Sequence, residues 1–261
     1  MEDRNPRIKW FVILSIATIC LIVSFGFIIH NLNGNKKSED AYAKMREDNK
    51  KKQESSASKN VINVDFSKLT NENSDIFAWI RIPGTNVDYP ILMSSDSEPT
   101  DYYLNHNIDH SKGYPGCLFV DKFQARDFSN FNTVIYGHNM YTKGTMFHDL
   151  TKYYDEDFFA KNKDIEIVTS EKKLRYRVYA AVKFSDDHLL YKYDFTKSID
   201  RTRFLSDLSN VRDVTSHLDK EMKVTSDNRL VTLSTCISRK SNNRYLIVGV
   251  QVGEEENKGK E

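Results

Sequence analysis

Cys236 closes the run Leu230-Val231-Thr232-Leu233-Ser234-Thr235-Cys236, an apolar and β-branched stretch followed at once by polar residues. A strand ending in this way sets a thiol at the rim of a sheet, where a substrate can reach it. The bland alternative is a buried structural cysteine, the common fate of the residue type. A free thiol has a pKa of about 8.5 and is only a few per cent thiolate at neutral pH, so a nucleophilic cysteine calls for a base or a cation beside it. Arg244 supplies the cation: it follows Cys236 after seven residues, Ile237 to Asn243, and opens the next apolar run. If the two runs pair as a hairpin, its guanidinium lies by the thiol and can donate to an oxyanion.

His138 is the candidate base. It stands in Val134-Ile135-Tyr136-Gly137-His138-Asn139-Met140, at the end of another apolar run and after a glycine that lets the backbone turn sharply. The remaining histidines flank the membrane segment or sit in polar and helical contexts. His106 and His110 are four apart, but Asn105, Asn107, Asp109 and Gly113 around them read as a loop, so no metal site is expected.

These groups need a scaffold, and eight short runs between turn signals supply one: Phe77–Ile82, Val87–Leu92, Cys117–Val120, Asn132–Tyr136, Ile165–Thr169, Leu174–Phe184, Leu230–Thr235 and Arg244–Val252. Leu174, Tyr176, Val178 and Ala180 alternate with Arg175, Arg177 and Tyr179, the period of a half-buried strand. Pro83-Gly84-Thr85-Asn86 and Ser170-Glu171-Lys172-Lys173 are turns. An amphipathic helix is expected over Ser198 to Asn210, with Ile199, Leu205 and Leu208 on its apolar face, and short helical turns near Phe147–Leu150 and Glu156–Ala160. Many strands with few helices predict a mainly β barrel or sandwich. The stretch from Ser185 to Arg229 becomes a long connection with its own structure or function.

Ahead of this domain, Trp10 to Ile29 runs for 20 residues without a charge, enough at about 1.5 Å per residue to cross a bilayer core. The competing reading is a cleaved signal peptide with Ala41-Tyr42-Ala43 as its processing site, but the apolar run is long for that and ends well before the site. The expected organisation is a cytoplasmic N-terminus over 1–9, a transmembrane anchor over 10–29, a polar linker over 30–60, one catalytic domain over 61–253 and a charged tail over 254–261. With 38 basic and 37 acidic side chains, no electrostatic case exists for nucleic acid. Cys20 lies in the anchor, so only Cys117 and Cys236 could pair in the domain.

Tyr-Gly-His-Asn-Met at 136–140, Thr-Leu-Ser-Thr-Cys at 232–236 and an arginine eight residues beyond the cysteine resemble the sortases. The resemblance covers about Val61 to Val252 and, with the N-terminal anchor and the helix before the seventh strand, is greatest to class B. It implies an eight-stranded β-barrel with short helices behind a transmembrane helix, and a cysteine transpeptidase without metal or organic cofactor. Cys236 would attack the threonine carbonyl of a C-terminal sorting signal, of the Asn-Pro-x-Thr kind, and hold the secreted protein as a thioacyl. His138 would move the protons, and Arg244 would hold the substrate and its oxyanion. Ser234 and Thr235 would line the groove, and an amine of a peptidoglycan precursor would resolve the acyl enzyme. The substrates implied are haem-uptake or pilus proteins, and the domain is expected outside the cell, facing the wall. Two other readings stay open: a hydrolase using water as acceptor, and a non-catalytic module with a Cys117–Cys236 disulfide.

Overall fold

The computed structural model describes residues 6–54, 62, 64–237 and 242–257. Residues 1–5, 55–60 of the expected linker and 258–261 of the expected tail lie outside the described residues.

Each of the eight expected runs forms a strand: β1 Ile76–Arg81, β2 Asp88–Met93, β3 Leu118–Val120, β4 Asn132–Tyr136, β5 Asp164–Thr169, β6 Lys172–Ser185, β7 Leu230–Cys236 and β8 Asn243–Glu256. They lie in the order β8-β7-β4-β3-β2-β1-β5-β6, and pairing of β6 with β8 closes the barrel. Neighbours are antiparallel except for the parallel pairs β2–β3 and β4–β7. A closed sheet leaves no long edge to pair with another chain.

Alternation along the strands sorts the side chains. On β7, Val231 and Leu233 point into the barrel beside Ile165 and Ile247. Leu230 points outward into a second apolar cluster with Val134, Val182, Leu246 and Val248. The connection from β6 to β7 covers that outer cluster with α4 (Leu189–Lys192) and α5 (Ser198–Asn210), which contribute Leu189, Phe204, Leu205 and Leu208. The expected helix is therefore present with one face corrected. Ile199 is 73% exposed, because at about 100° per residue it lies opposite Leu208, and Phe204 takes the place assigned to it. Short helical turns at His148–Tyr154 and Glu156–Lys161 (α3) match the remaining helical expectations.

The expected polar linker departs from expectation. The N-terminal helix α1 runs unbroken from Pro6 to Glu54. Its Lys9–Ile29 segment is long and apolar enough to cross a membrane and is exposed throughout. Farther on, Ser38, Tyr42, Met45 and Asn49 form a buried stripe along one face, at the 4-3-4 spacing of a docked helix. Tyr42 meets Tyr89 edge to face at 5.4 Å and donates to the Gly116 carbonyl at 2.7 Å. Lys37 pairs with Asp109, Glu39 accepts from Thr145, and Asp48 pairs with Lys68 of α2 (Phe66–Glu72). Two large apolar residues were too few to show as a periodicity, and contact with the barrel orders what the composition left as a tether. Tyr42 is thus buried on a helix, whereas processing sites concentrate in exposed, irregular segments.

Candidate active site

Cys236 ends β7 and Arg244 begins β8, and the two are direct partners in the antiparallel register. Partners in register share a face, so the guanidinium and the thiol project together from the outside of the barrel. Arg244 Nη1 donates to Cys236 Sγ at 2.8 Å. On the other side of β7 lies β4, parallel to it and in register from Leu230–Asn132 to Ser234–Tyr136. The chain leaving β4 carries His138. Strand order therefore places the cysteine between the arginine and the histidine.

Three hydrogen bonds strap the segment after β4 to the end of β7. Gly137 N donates to Ser234 O at 3.2 Å, Thr235 Oγ1 donates to Gly137 O at 2.8 Å, and Asn139 Nδ2 donates to Cys236 O at 3.1 Å. The histidine's own carbonyl accepts from Phe147 N at 3.0 Å, and His148 Nδ1 bonds Asn139 Oδ1 at 2.8 Å. Gly137 serves for space rather than for a left-handed turn: its backbone lies outside the positive-φ region, and a Cβ there would run into Leu118 and Phe147.

His138 Nε2 sits 2.7 Å from the Leu104 carbonyl. A carbonyl only accepts, so Nε2 carries a proton and Nδ1 is the nitrogen left to exchange one. Burial pulls the imidazole below its ordinary pKa, against the Leu104 hydrogen bond, and the Arg244 charge adds to the lowering. Neutral imidazole is the resting form. No hydrogen bond joins His138 to Cys236: the imidazole is held at Leu104 and the thiol at Arg244. Tyr114 covers the imidazole, ring centres 5.1 Å apart.

His138, Cys236 and Arg244 border a groove of about 220 Å³ lined also by Leu104, Tyr136 and Leu246. Ser234 and Thr235 both border it, in different ways. Ser234 shares the outer face with Cys236, whereas Thr235 is 2% exposed and gives its hydroxyl to Gly137 O. Asn139 and the Leu104 carbonyl went unweighed in the sequence. Asn139 adjoins His138 in the motif and was visible there. Leu104 lies in a loop with no periodicity to single it out. Cys117 and Cys236 are both free thiols; Cys117 is fully buried under Tyr42, and burial pushes its pKa up to about 12.

A family model for the sortase domain matches residues 80–252. The chain is 34% identical over 176 residues to a sortase B of Listeria monocytogenes, covering 67% of each chain. The solved Staphylococcus aureus sortase B–substrate complex superposes with a TM-score of 0.68 at 28% identity, over 83% of this chain and 97% of that one. Clostridium perfringens sortase B superposes at 0.64 with 27% identity, over 72% and 100%.

Proposed function

The chain belongs to the sortase family, whose members are cysteine transpeptidases, and on that footing we propose that Cys236, His138 and Arg244 carry the reaction. Cys236 Sγ attacks the threonine carbonyl of a C-terminal sorting signal. As the C–S bond forms, the oxyanion receives hydrogen bonds from Arg244. His138 is neutral at rest, so the proton it delivers to the leaving amine is the one Cys236 gives up. The C–N bond breaks and a thioacyl enzyme remains. An amine of a peptidoglycan precursor then attacks the thioester, passing its proton to His138 Nδ1; the new C–N bond forms, the C–S bond breaks and the thiol is restored.

The observation that carries this reading is the flanking of Cys236 by Arg244 at 2.8 Å and by a half-buried imidazole whose only available nitrogen is Nδ1. The catalytic domain is taken as 61–253, with α1 through Lys9–Ile29 as a membrane anchor and the barrel on the outer face. The test is to incubate the detergent-solubilised full chain with Asn-Pro-x-Thr peptides, with and without an amine acceptor, and follow products by mass. Wild type should form a thioacyl adduct and convert hydrolysed product to ligated product when amine is added. Cys236→Ala should form neither, and an active Cys236→Ala protein would sink the assignment. Release to water across a range of acceptors would identify a hydrolase instead.

A further inference from the structure

The contacts of α1 fix which part of the barrel lies nearest the lipid. Met146 N donates to Tyr89 Oη at 3.1 Å, and Tyr89 meets Tyr42 of α1. One residue earlier in the chain, Thr145 Oγ1 donates to Glu39 Oε1 at 3.0 Å. The step from Met146 back to Thr145 thus runs toward the N-terminal end of α1. The turn it enters, residues 141–144 of the small hairpin Asn139–Met140 and Thr145–Met146, lies farther along that course. The loop before β3 runs the same way: the Gly116 carbonyl is held by Tyr42 and Asp109 by Lys37. With Lys9–Ile29 as the membrane anchor, these two loops are the part of the barrel nearest the bilayer.

Their composition suits that place. Residues 110–114 read His-Ser-Lys-Gly-Tyr and residues 141–144 read Tyr-Thr-Lys-Gly, without an acidic side chain in either. Lys112, Tyr114, Tyr141 and Lys143 are exposed, Tyr141 to 79%. Tyrosine settles at the level of the headgroups, and lysine reaches anionic headgroups from a flexible stem. On α1, Lys36 is exposed, while the carboxylates Glu39 and Asp40 stand about a turn farther from the span. Asp109 is neutralised by Lys37. The layer nearest the lipid is basic and aromatic. Its height agrees: Lys37 lies about 12 Å beyond Ile29 along the helix. A headgroup layer is roughly 5–7 Å deep, and a lysine or tyrosine side chain covers the remainder.

We propose that residues 110–114 and 141–144 form a lipid-contacting surface, which rests on anionic headgroups of the membrane that holds α1. The proposal rests on the reading of Lys9–Ile29 as an anchor and names a second contact with the same bilayer. Lys112 and Lys143 supply the attraction, which short-range screening confines to headgroups close by. Tyr141 supplies the interfacial ring. Tyr114 ties the surface to the reaction, because the same ring covers His138, with centres 5.1 Å apart. The histidine's side of the site then lies beside the headgroup layer.

The test places the full chain in nanodiscs of phosphatidylcholine, with or without phosphatidylglycerol, and maps lysine acylation by mass spectrometry. Phosphatidylglycerol should slow labelling of Lys112 and Lys143 about fivefold, and the slowing should fade as salt rises. Lys68, held at Asp48 about 16 Å farther along α1, should label alike in both discs. Hydrogen exchange over 141–144 should slow with phosphatidylglycerol in the wild type and be the same in both discs for the double variant Lys112→Glu with Lys143→Glu. Labelling of Lys112 and Lys143 that ignores phosphatidylglycerol, or slowing shared equally by Lys68, overturns this proposal alone. A chain that does not co-purify with the discs overturns the anchor reading, and this proposal with it.

Discussion

Arg244 and Cys236 are bound twice over, by β-ladder register and by a 2.8 Å contact between guanidinium and sulfur. A planar, permanently charged fork at this distance can serve the thiolate and then the oxyanion without moving its backbone. Arg244→Ala should lower kcat about 10²–10³-fold, the usual cost of losing an oxyanion donor. Arg244→Lys should recover only part of that, since a point charge replaces the fork. The check is steady-state kinetics beside iodoacetamide reactivity of Cys236 across pH; an unchanged kcat in Arg244→Ala would remove the arginine from the mechanism.

Burial of His138 sets the direction of its titration. The folded protein holds this proton less tightly than the unfolded chain, so the imidazole should titrate below about 6.5 in NMR spectra. The sign for stability follows: the contribution is present above the unfolded value and is lost as pH falls below about 6.5, where unfolding takes up the proton. A midpoint at or above 6.5 would contradict the buried, neutral resting state.

Thr235→Val keeps the shape of the side chain and removes its bond to the Gly137 carbonyl. Leaving that carbonyl unsatisfied should cost about 1–3 kcal/mol, a drop of several degrees in Tm. Because Gly137 precedes His138, kcat should fall while alkylation of Cys236 is unaffected. Equal losses in both would make Thr235 a general stabiliser of β7.

Cys117 and Cys236 should respond oppositely to alkylating agents. With its pKa pushed up to about 12 by burial, Cys117 should stay unlabelled in the folded protein at neutral pH, and Cys117→Ala should retain activity. Peptide mapping after labelling decides it, and modification of Cys117 ahead of Cys236 would contradict the burial.

Tyr42→Phe removes the hydroxyl bonded to Gly116 O. The adjoining residue matters for the site: Cys117 N donates to Tyr103 O at 3.0 Å, next to the Leu104 carbonyl that orients His138. Tm should fall by a few degrees, as for the loss of one buried hydrogen bond, and kcat should fall with it while KM holds. No change in either would mean that α1 merely rests on the barrel.

The strands were legible because each carries its own alternation and its own turn residues, and Cys236, His138 and Arg244 were legible because all three sit at strand ends. What stayed hidden depends on contacts between distant segments. The docking of α1 rests on Tyr42 and Met45 in a stretch otherwise polar. The orienting bond to His138 comes from a main-chain carbonyl at Leu104, to which side-chain identity gives no clue. Ile199 reads as apolar in sequence, yet only the angular position of Phe204 and Leu208 decides which face α5 buries.

The unbroken course of α1 changes how far the catalytic end can travel. With Lys9–Ile29 in a bilayer, the first barrel contact among the described side chains' ion pairs, at Lys37, lies eight residues on, about 12 Å along a helix. A loose chain of the same length would let the domain wander through a hemisphere; a helical stalk fixes its height and leaves rotation about one axis. Partners would then have to arrive within a thin layer above the lipid, so encounters become searches in a plane. Donor proteins still held in the membrane and lipid-borne acceptors meet that condition, and freely diffusing peptides do not.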